Sequence, residues 1–122
     1  MANIPIHFEI PADAPAALGD FYTKVFGWQI EKTDNPEYWI IRTGPGEAAM
    51  NGGMMSRVSS EQQGVLLYIG VDSVDSFVDK VKANGGRIVM EKKTVPGMGW
   101  FALFADPQGT VLGLWQEDSS AG

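Results

Sequence analysis

The chain has no cysteine and only one histidine, His7, among its 122 residues. Without cysteine it can form no disulfide bond, no thiolate metal site and no cysteine nucleophile. With one histidine, a single chain cannot supply the two or more imidazole ligands that many zinc and iron sites use. Any catalytic divalent cation would therefore depend mainly on carboxylate ligands.

Basic residues are also few, and they are dispersed along the chain. Nine lysines and arginines stand against fifteen acidic residues, which gives a net charge of -6. The absence of a basic stripe argues against nucleic acid and anionic membranes as partners. No apolar run approaches the roughly 18 residues of a membrane helix, and the first residues do not follow the pattern of a secretion signal. We therefore expect a cytoplasmic protein whose partner is a small molecule or another protein.

The first half of the chain begins with a strand-like alternation over residues 4–10. This alternation places His7 and Glu9 on one face of the strand. A helix is predicted next, with Asp13 as its N-cap and Gly27 as its stop. Its apolar residues at helical spacing are Leu18, Phe21, Tyr22, Val25 and Phe26. Strands at about 28–33, 38–43 and 49–57 complete the order β-α-β-β-β.

The second half repeats this order. A strand at 65–71, a helix that ends at Asn84-Gly85-Gly86, and strands at about 87–95, 100–105 and 111–116 are predicted. An offset of 59 residues superposes Phe8 on Leu67, Asp13 on Asp72 and Gly27 on Gly86.

The repeat predicts a single α+β domain over residues 1–122, with one module at about 4–57 and the other at about 64–116. We expect their strands to pair into one curved, partly closed mixed sheet, with the helices on the convex face and a cavity on the concave face. A ferredoxin-like domain is the alternative fold, but it leaves one strand of each half unassigned.

Several short motifs occur in a characteristic order over about residues 4–116. They are His7-Phe8-Glu9-Ile10-Pro11, Phe21-Tyr22, Val25-Phe26-Gly27-Trp28, Val71-Asp72-Ser73, Gly85-Gly86, Asp106-Pro107-Gln108-Gly109 and Leu112-Gly113-Leu114-Trp115. Together they resemble the vicinal-oxygen-chelate superfamily, which includes glyoxalase I, extradiol dioxygenases, fosfomycin-resistance enzymes and bleomycin-binding proteins. The chain is most similar to the stand-alone glyoxalase-related members. The resemblance implies a homodimer, with modules paired within one chain or swapped between chains.

The resemblance also implies where a metal would be held, since metal-dependent members use one residue from the first and the last strand of each module. These positions fall on His7, near Asn51-Gly52-Gly53, on Leu66 and on Gly113. Only His7 is a usual ligand type, so it is a remnant ligand and we expect no cofactor. A divalent metal is the disfavoured alternative, and substrate or a second chain would have to complete its site.

Strand alternation predicts that seven positions face the cavity, namely His7, Glu9, Leu66, Tyr68, Val111, Gly113 and Trp115. The candidates for catalysis are His7, Glu9 and Tyr68, because an imidazole titrates near neutrality, a carboxylate can orient it and a tyrosine hydroxyl completes a proton relay. Methionines and aromatic rings suit an apolar ligand. The candidates for ligand contact are Trp39, Met50, Met54, Leu66, Trp100, Gly113 and Trp115. The alternative for each is ordinary packing or a solvated polar pair.

Three functions fit this sequence. The leading hypothesis is a protein that binds a small, partly apolar or aromatic molecule in the concave cavity, without the usual metal centre. The second is a lyase, isomerase or dioxygenase of the same superfamily that uses His7 and an added divalent ion. The third is a non-catalytic interaction module whose exposed sheet edge mediates assembly.

Overall fold

A computed structural model describes residues 3–34, 37–46, 49–57 and 64–122. In the first module the elements are β1 (Ile4–Ala12), α1 (Pro15–Phe26), β2 (Gln29–Lys32), β3 (Tyr38–Arg42) and β4 (Gly52–Ser56). In the second module they are β5 (Leu66–Gly70), α2 (Val74–Ala83), β6 (Arg87–Val95), β7 (Gly99–Ala105) and β8 (Val111–Glu117). The described residues therefore form the predicted α+β repeat of two β-α-β-β-β modules.

The chain packs as two compact units that follow these modules closely. The first unit is His7–Leu66, and the second comprises Leu67–Gly122 together with the residues that begin β1. The boundary between them falls inside β5 at Leu66, the repeat equivalent of His7.

In the first unit the strand order is β2-β3-β4-β1, with β1 parallel to β4 and the other pairs antiparallel. The register sets Glu9 beside Gly53, and Gly53 beside Ile40. Because directly paired residues point to the same side of a sheet, these three positions share one face. The opposite face carries α1, whose buried Gly19 lies close to Met54.

In the second unit the order is β5-β8-β7-β6, with β5 parallel to β8 and the other pairs antiparallel. Its core contains Val71, Val74, Ala102 and Leu114, all of which are almost fully buried. Side chains of α2 pack against this cluster, so the core lies between the helix and the sheet. Apolar residues removed from water in this way supply most of the stabilisation of the unit.

The structure corrects the predicted helix start. Ala14, and not Asp13, is the N-cap of α1, and no side chain caps it. Asp13 instead accepts a hydrogen bond of 3.0 Å from Arg57 Nε. The corresponding cap of α2 is Ser73, whose hydroxyl accepts a hydrogen bond of 3.1 Å from the Ser76 amide. Both caps lie one residue later than predicted, so the offset of 59 is preserved.

The apolar residues of α1 are less buried than their helical spacing suggested. Phe21, Val25 and Phe26 are 53%, 54% and 61% exposed. The helix approaches the sheet through Gly19, and at 3.6 residues per turn Phe21 and Val25 lie about 200° and 240° around the helix from it. Tyr22 instead stacks on Trp28, with ring centroids 5.1 Å apart.

Gly27 ends α1 in the left-handed conformation, with a φ of 75°, as its position after the last apolar residue predicted. Neither helix in the described part of the chain has the length and hydropathy that a membrane crossing requires.

Candidate functional site

His7 and Glu9 project from the face of β1 that is turned away from α1. Two residues apart on a strand, they point the same way, and His7 Nε2 lies 3.6 Å from Glu9 Oε2. The His7 side chain is 33% exposed, whereas that of Glu9 is only 13% exposed. The imidazole is therefore the more accessible group, and the carboxylate lies deeper in the site.

Tyr38, the first residue of β3, joins these two side chains. Its hydroxyl donates a hydrogen bond of 3.1 Å to Glu9 Oε2 and lies 3.1 Å from His7 Nε2. A phenol has a single hydrogen to donate, so His7 Nε2 carries the hydrogen of the second bond and donates it to Tyr38 Oη. The three groups form a chain that runs from imidazole through phenol to carboxylate.

The environment keeps the phenol protonated. Burial, and then the negative charge of Glu9 and the hydrogen bond to it, raise the pKa of Tyr38 far above the ordinary tyrosine value. Removal of the phenol proton would place a second negative charge against the carboxylate in a poorly solvated position. Tyr38 therefore acts as a neutral hydroxyl that donates to Glu9 and accepts from His7.

Gly53 makes room for this hydroxyl. A Cβ atom at Gly53 would overlap the Oη and Cζ atoms of Tyr38 and lie 2.9 Å from Cε1. Real Cβ atoms do not approach other atoms so closely, so a larger residue at this position is incompatible with the observed Tyr38 conformation. The phenol occupies the space that a side chain from β4 would otherwise fill beside Glu9.

This donor set does not fit a resident divalent cation. Within the described ranges, no three histidine, aspartate or glutamate residues are grouped closely enough to hold a metal ion. His7 and Glu9 supply two donors, and Tyr38 is a neutral phenol whose proton is already directed at Glu9. Asn51, near the second implied ligand position, uses its side-chain oxygen to accept a 3.0 Å bond from the Thr43 amide. In this structure these side chains are engaged in hydrogen bonds with one another and with the backbone.

The second unit contains a related arrangement around Tyr68, the repeat equivalent of Glu9. Tyr68 pairs with Gly113 across the parallel strands β5 and β8. A Cβ atom at Gly113 would overlap Cδ2 of the Tyr68 ring and lie 2.9 Å from Cγ. The ring is buried and meets Phe101 edge to face, with centroids 6.4 Å apart. The catalytic role suggested for Tyr68 stays a prediction.

Three predicted ligand contacts of the first unit lie away from the relay of His7, Tyr38 and Glu9. Met54 is fully buried, and its methyl group lies near Gly19 of α1, which is the position of a core residue. Trp39 pairs with Met54 and so shares the face that α1 covers. Met50 is 38% exposed and its carbonyl accepts a hydrogen bond from Thr43. Ligand contact by these residues stays a prediction.

The remaining predicted contacts have clear packing environments. Trp100 packs against the core under α2, and its indole N–H donates a 3.1 Å hydrogen bond to Asp118. The Trp115 ring lies over Gly99, where a Cβ atom would meet it at 2.7 Å. Leu66 is half-buried at the start of β5. Their contact with a ligand is likewise still a prediction.

Tyr38 is the functional candidate that the sequence patterns did not identify. Alternation indicates which residues share a face of one strand, but it does not give the register between strands. Tyr38 reaches Glu9 only because β3 pairs with β4 and β4 pairs with β1. The weak signal in the sequence is the pair Gly52-Gly53, since glycine within a strand often marks a close approach of another group.

Relatives are found over nearly the whole chain. Residues 4–114 match the family model of the Glyoxalase/Bleomycin resistance protein/Dioxygenase superfamily. The curated Mycobacterium tuberculosis protein named "Putative glyoxylase CFP32" is 32% identical over 118 residues, which cover 88% of this chain and 43% of that protein. The anthracycline biosynthesis protein DnrV of Streptomyces peucetius is 26% identical over 132 residues, which cover 93% of this chain and 46% of that protein.

Among solved structures, methylmalonyl-CoA epimerase from Mycobacterium tuberculosis superposes with a TM-score of 0.69 at 16% sequence identity. The match covers 97% of this chain and 92% of that chain. At this identity the likeness shows the fold alone. The chain spans less than half the length of the two curated relatives.

Proposed function

Because the chain belongs to the glyoxalase/bleomycin resistance protein/dioxygenase superfamily, we propose that it binds a small, partly apolar or aromatic molecule without the usual metal centre. The site is the face of the first unit that presents His7, Tyr38 and Glu9. The observation that carries this proposal is the hydrogen-bonded relay among these three residues.

The surroundings of the relay suit a ligand with an apolar body and one polar group. Met55 pairs with Tyr38, and Ile40 pairs with Gly53, so both apolar side chains share the face of the relay. Each is partly exposed. Small-molecule sites commonly combine such apolar walls with a few fixed polar groups that orient the ligand.

The residues of the relay have different tasks in binding. Glu9, which is less exposed than His7, anchors the phenol of Tyr38, and the phenol in turn orients the imidazole of His7. His7, the more exposed of the two, meets the polar group of the ligand. Because these polar side chains are ordered before the ligand binds, less of the binding free energy is lost to ordering them.

A ligand survey tests this proposal. The protein as purified is analysed by native mass spectrometry for a bound molecule, and its melting temperature is then measured against a metabolite library. A ligand at about 100 times its Kd adds about 2.7 kcal/mol to the unfolding free energy, which raises Tm by several degrees. Absence of both a co-purifying molecule and any Tm increase would reject the proposal.

Variants locate the binding to the relay. We expect Tyr38→Phe and His7→Ala to abolish most of the ligand-induced Tm increase. Tyr22→Phe is the matched control, since Tyr22 lies on α1 and stacks on Trp28 away from the relay. Equal Tm increases in all three variants would place the ligand elsewhere.

The relay also favours one second candidate, a lyase or isomerase of the same superfamily that uses His7 for proton transfer. Imidazole is the side chain best suited to proton exchange near neutral pH, and the phenol and carboxylate behind it can stabilise its charge changes. The name of one relative, a glyoxylase, also supports an enzymatic function. Turnover of a hemithioacetal that is lost in His7→Ala and kept in Tyr22→Phe would support this candidate. No turnover would leave binding as the function.

A further inference from the structure

Two strands of the first unit bring side chains to a residue of a third strand that has no side chain. Glu9 on β1 is the direct partner of Gly53 on β4, and Tyr38 on β3 places its hydroxyl over Gly53. The same hydroxyl bonds Glu9 and His7. Gly53 therefore lies directly beneath the Tyr38 hydroxyl and beside Glu9, and its lack of a side chain leaves room for the relay.

On the basis of the proposed ligand site, we propose that Gly53 determines what that site binds. By lacking a side chain, Gly53 admits the Tyr38 phenol to the position from which a β4 carboxylate would complete a cation site with His7 and Glu9. The site consequently takes an uncharged hydrogen-bond donor, such as the hydroxyl or amide N–H of an organic molecule, in place of a divalent cation.

Steric exclusion separates these two arrangements. The Tyr38 hydroxyl and a Cβ atom at position 53 would occupy the same space. Any side chain at position 53 must displace the phenol. Conversely, the phenol fills the space that a metal-coordinating side chain at position 53 would need. The two arrangements are mutually exclusive alternatives for one position on the face of the sheet.

The atoms of Glu9 and His7 that face Tyr38 are already engaged in hydrogen bonds. Glu9 Oε2 accepts the phenol proton, and the hydrogen on His7 Nε2 points at the phenol oxygen. A cation between these atoms would have to displace both hydrogens, and metal ligands must be deprotonated. A neutral group that donates a hydrogen bond requires no such displacement.

The second module also sets a glycine against a tyrosine. There Tyr68, the repeat equivalent of Glu9, is the direct partner of Gly113 and covers it with its own ring, whereas in the first module the tyrosine comes from β3. Each module thus places a glycine of its last strand under a tyrosine. This recurrence indicates that both glycines are used to seat aromatic side chains.

Cation binding by the apoprotein tests this proposal without any organic ligand. After dialysis against EDTA, MnCl2, NiCl2 and ZnCl2 are titrated singly into the wild-type protein by calorimetry, and tyrosinate absorbance is followed at 295 nm. We expect no one-to-one binding in the micromolar range and no tyrosinate band. Stoichiometric micromolar binding by the wild type would overturn the proposal.

A double variant tests the reverse arrangement. Tyr38→Ala with Gly53→Glu removes the phenol and supplies a carboxylate from β4, and we expect it to bind Mn²⁺ or Ni²⁺ at least tenfold more tightly than the wild type. The matched controls are the single variants Tyr38→Ala and Gly53→Glu, each of which lacks one half of the change. No gain over the wild type in a double variant with native circular dichroism would contradict the proposal.

If the double variant fails to fold, Gly53→Ala provides the decisive variant. The added methyl group overlaps the observed position of the phenol, so the Tyr38 hydroxyl should lie away from Glu9 in a crystal structure of the variant. An unchanged position of the Tyr38 side chain in that structure would overturn the proposal. These cation and tyrosine measurements do not involve the organic ligand, so failure of the ligand survey is a separate result.

Discussion

The hydroxyl of Tyr38 donates a 3.1 Å hydrogen bond to the carboxylate of Glu9, a residue 29 positions earlier in the chain. Through this bond the first module fixes the orientation of a histidine, a tyrosine and a glutamate before any ligand binds. The single histidine of the chain is thereby part of an ordered group of polar side chains. The stability of the protein and its response to pH should depend on this bond and on the glycines that accommodate tyrosine rings.

Removal of the Tyr38 hydroxyl should lower stability. Tyr38→Phe removes one hydrogen-bond donor from the poorly exposed Glu9, and loss of one partner of a hydrogen bond to a charged group costs about 1–3 kcal/mol. We expect a loss of that size in the unfolding free energy, measured by urea denaturation. Tyr22→Phe, in which no carboxylate loses a partner of this kind, should change stability by less than about 0.5 kcal/mol. Equal losses in the two variants would show that the bond to Glu9 contributes nothing.

Stability should fall at alkaline pH because of Tyr38. Its pKa is raised on folding, so its contribution is fully present below the unfolded tyrosine pKa of about 10 and is lost as the pH rises above that value. Urea denaturation between pH 8 and pH 11.5 should therefore show a declining unfolding free energy above about pH 10. The decline should be smaller in Tyr38→Phe. Parallel profiles for the two proteins would be inconsistent with a phenol held neutral by the fold.

Gly113 should tolerate no side chain. In Gly113→Ala the new methyl group would overlap the Tyr68 ring, and overpacking of this kind typically costs about 1–3 kcal/mol. Gly44→Ala is the matched control, because its Cβ would lie at an ordinary contact distance of 3.8 Å from Ala49. We expect a clear loss of Tm in the first variant and little change in the second. A Gly113→Ala variant as stable as the wild type would show that the Tyr68 ring moves aside at low cost.

Acid should change the environment of Trp100 through Asp118. The pKa of the Asp118 carboxyl is lowered mainly by hydrogen bonds from Ser120, and further by the indole N–H of Trp100. The interaction is present above the ordinary aspartate pKa of about 3.9 and is lost as the pH falls through the lower, folded value. Tryptophan fluorescence should thus show an acid transition in the wild type that Asp118→Asn lacks. A transition of equal size in both proteins would assign it to another group.

Much of the fold was predictable because it rests on local patterns. The alternation around His7 and Glu9, the helix stop at Gly27 and the offset of 59 residues all survive in the structure. Where the sequence misled, the observed contact is tertiary. Asp13 does not cap α1 but accepts a hydrogen bond from Arg57, 44 residues later in the chain, and local patterns do not reveal such a contact.

The candidate site was predictable only in part. His7 and Glu9 share a face by simple alternation, so their proximity follows from β1 alone. Tyr38 was missed because its position depends on the register of three strands and on the missing side chain of Gly53. Tyr68 was proposed as the tyrosine of a proton relay, since alternation along its own strand places it on the side of the predicted cavity.

The most direct test of the relay as a binding site is the affinity of the wild-type protein and two tyrosine variants for the ligand that the survey identifies. Isothermal titration with that ligand should show at least tenfold weaker binding by Tyr38→Phe, which corresponds to about 1.4 kcal/mol, and an unchanged Kd for Tyr22→Phe. Equal affinities in all three proteins would contradict the claim that the relay of His7, Tyr38 and Glu9 is the binding site.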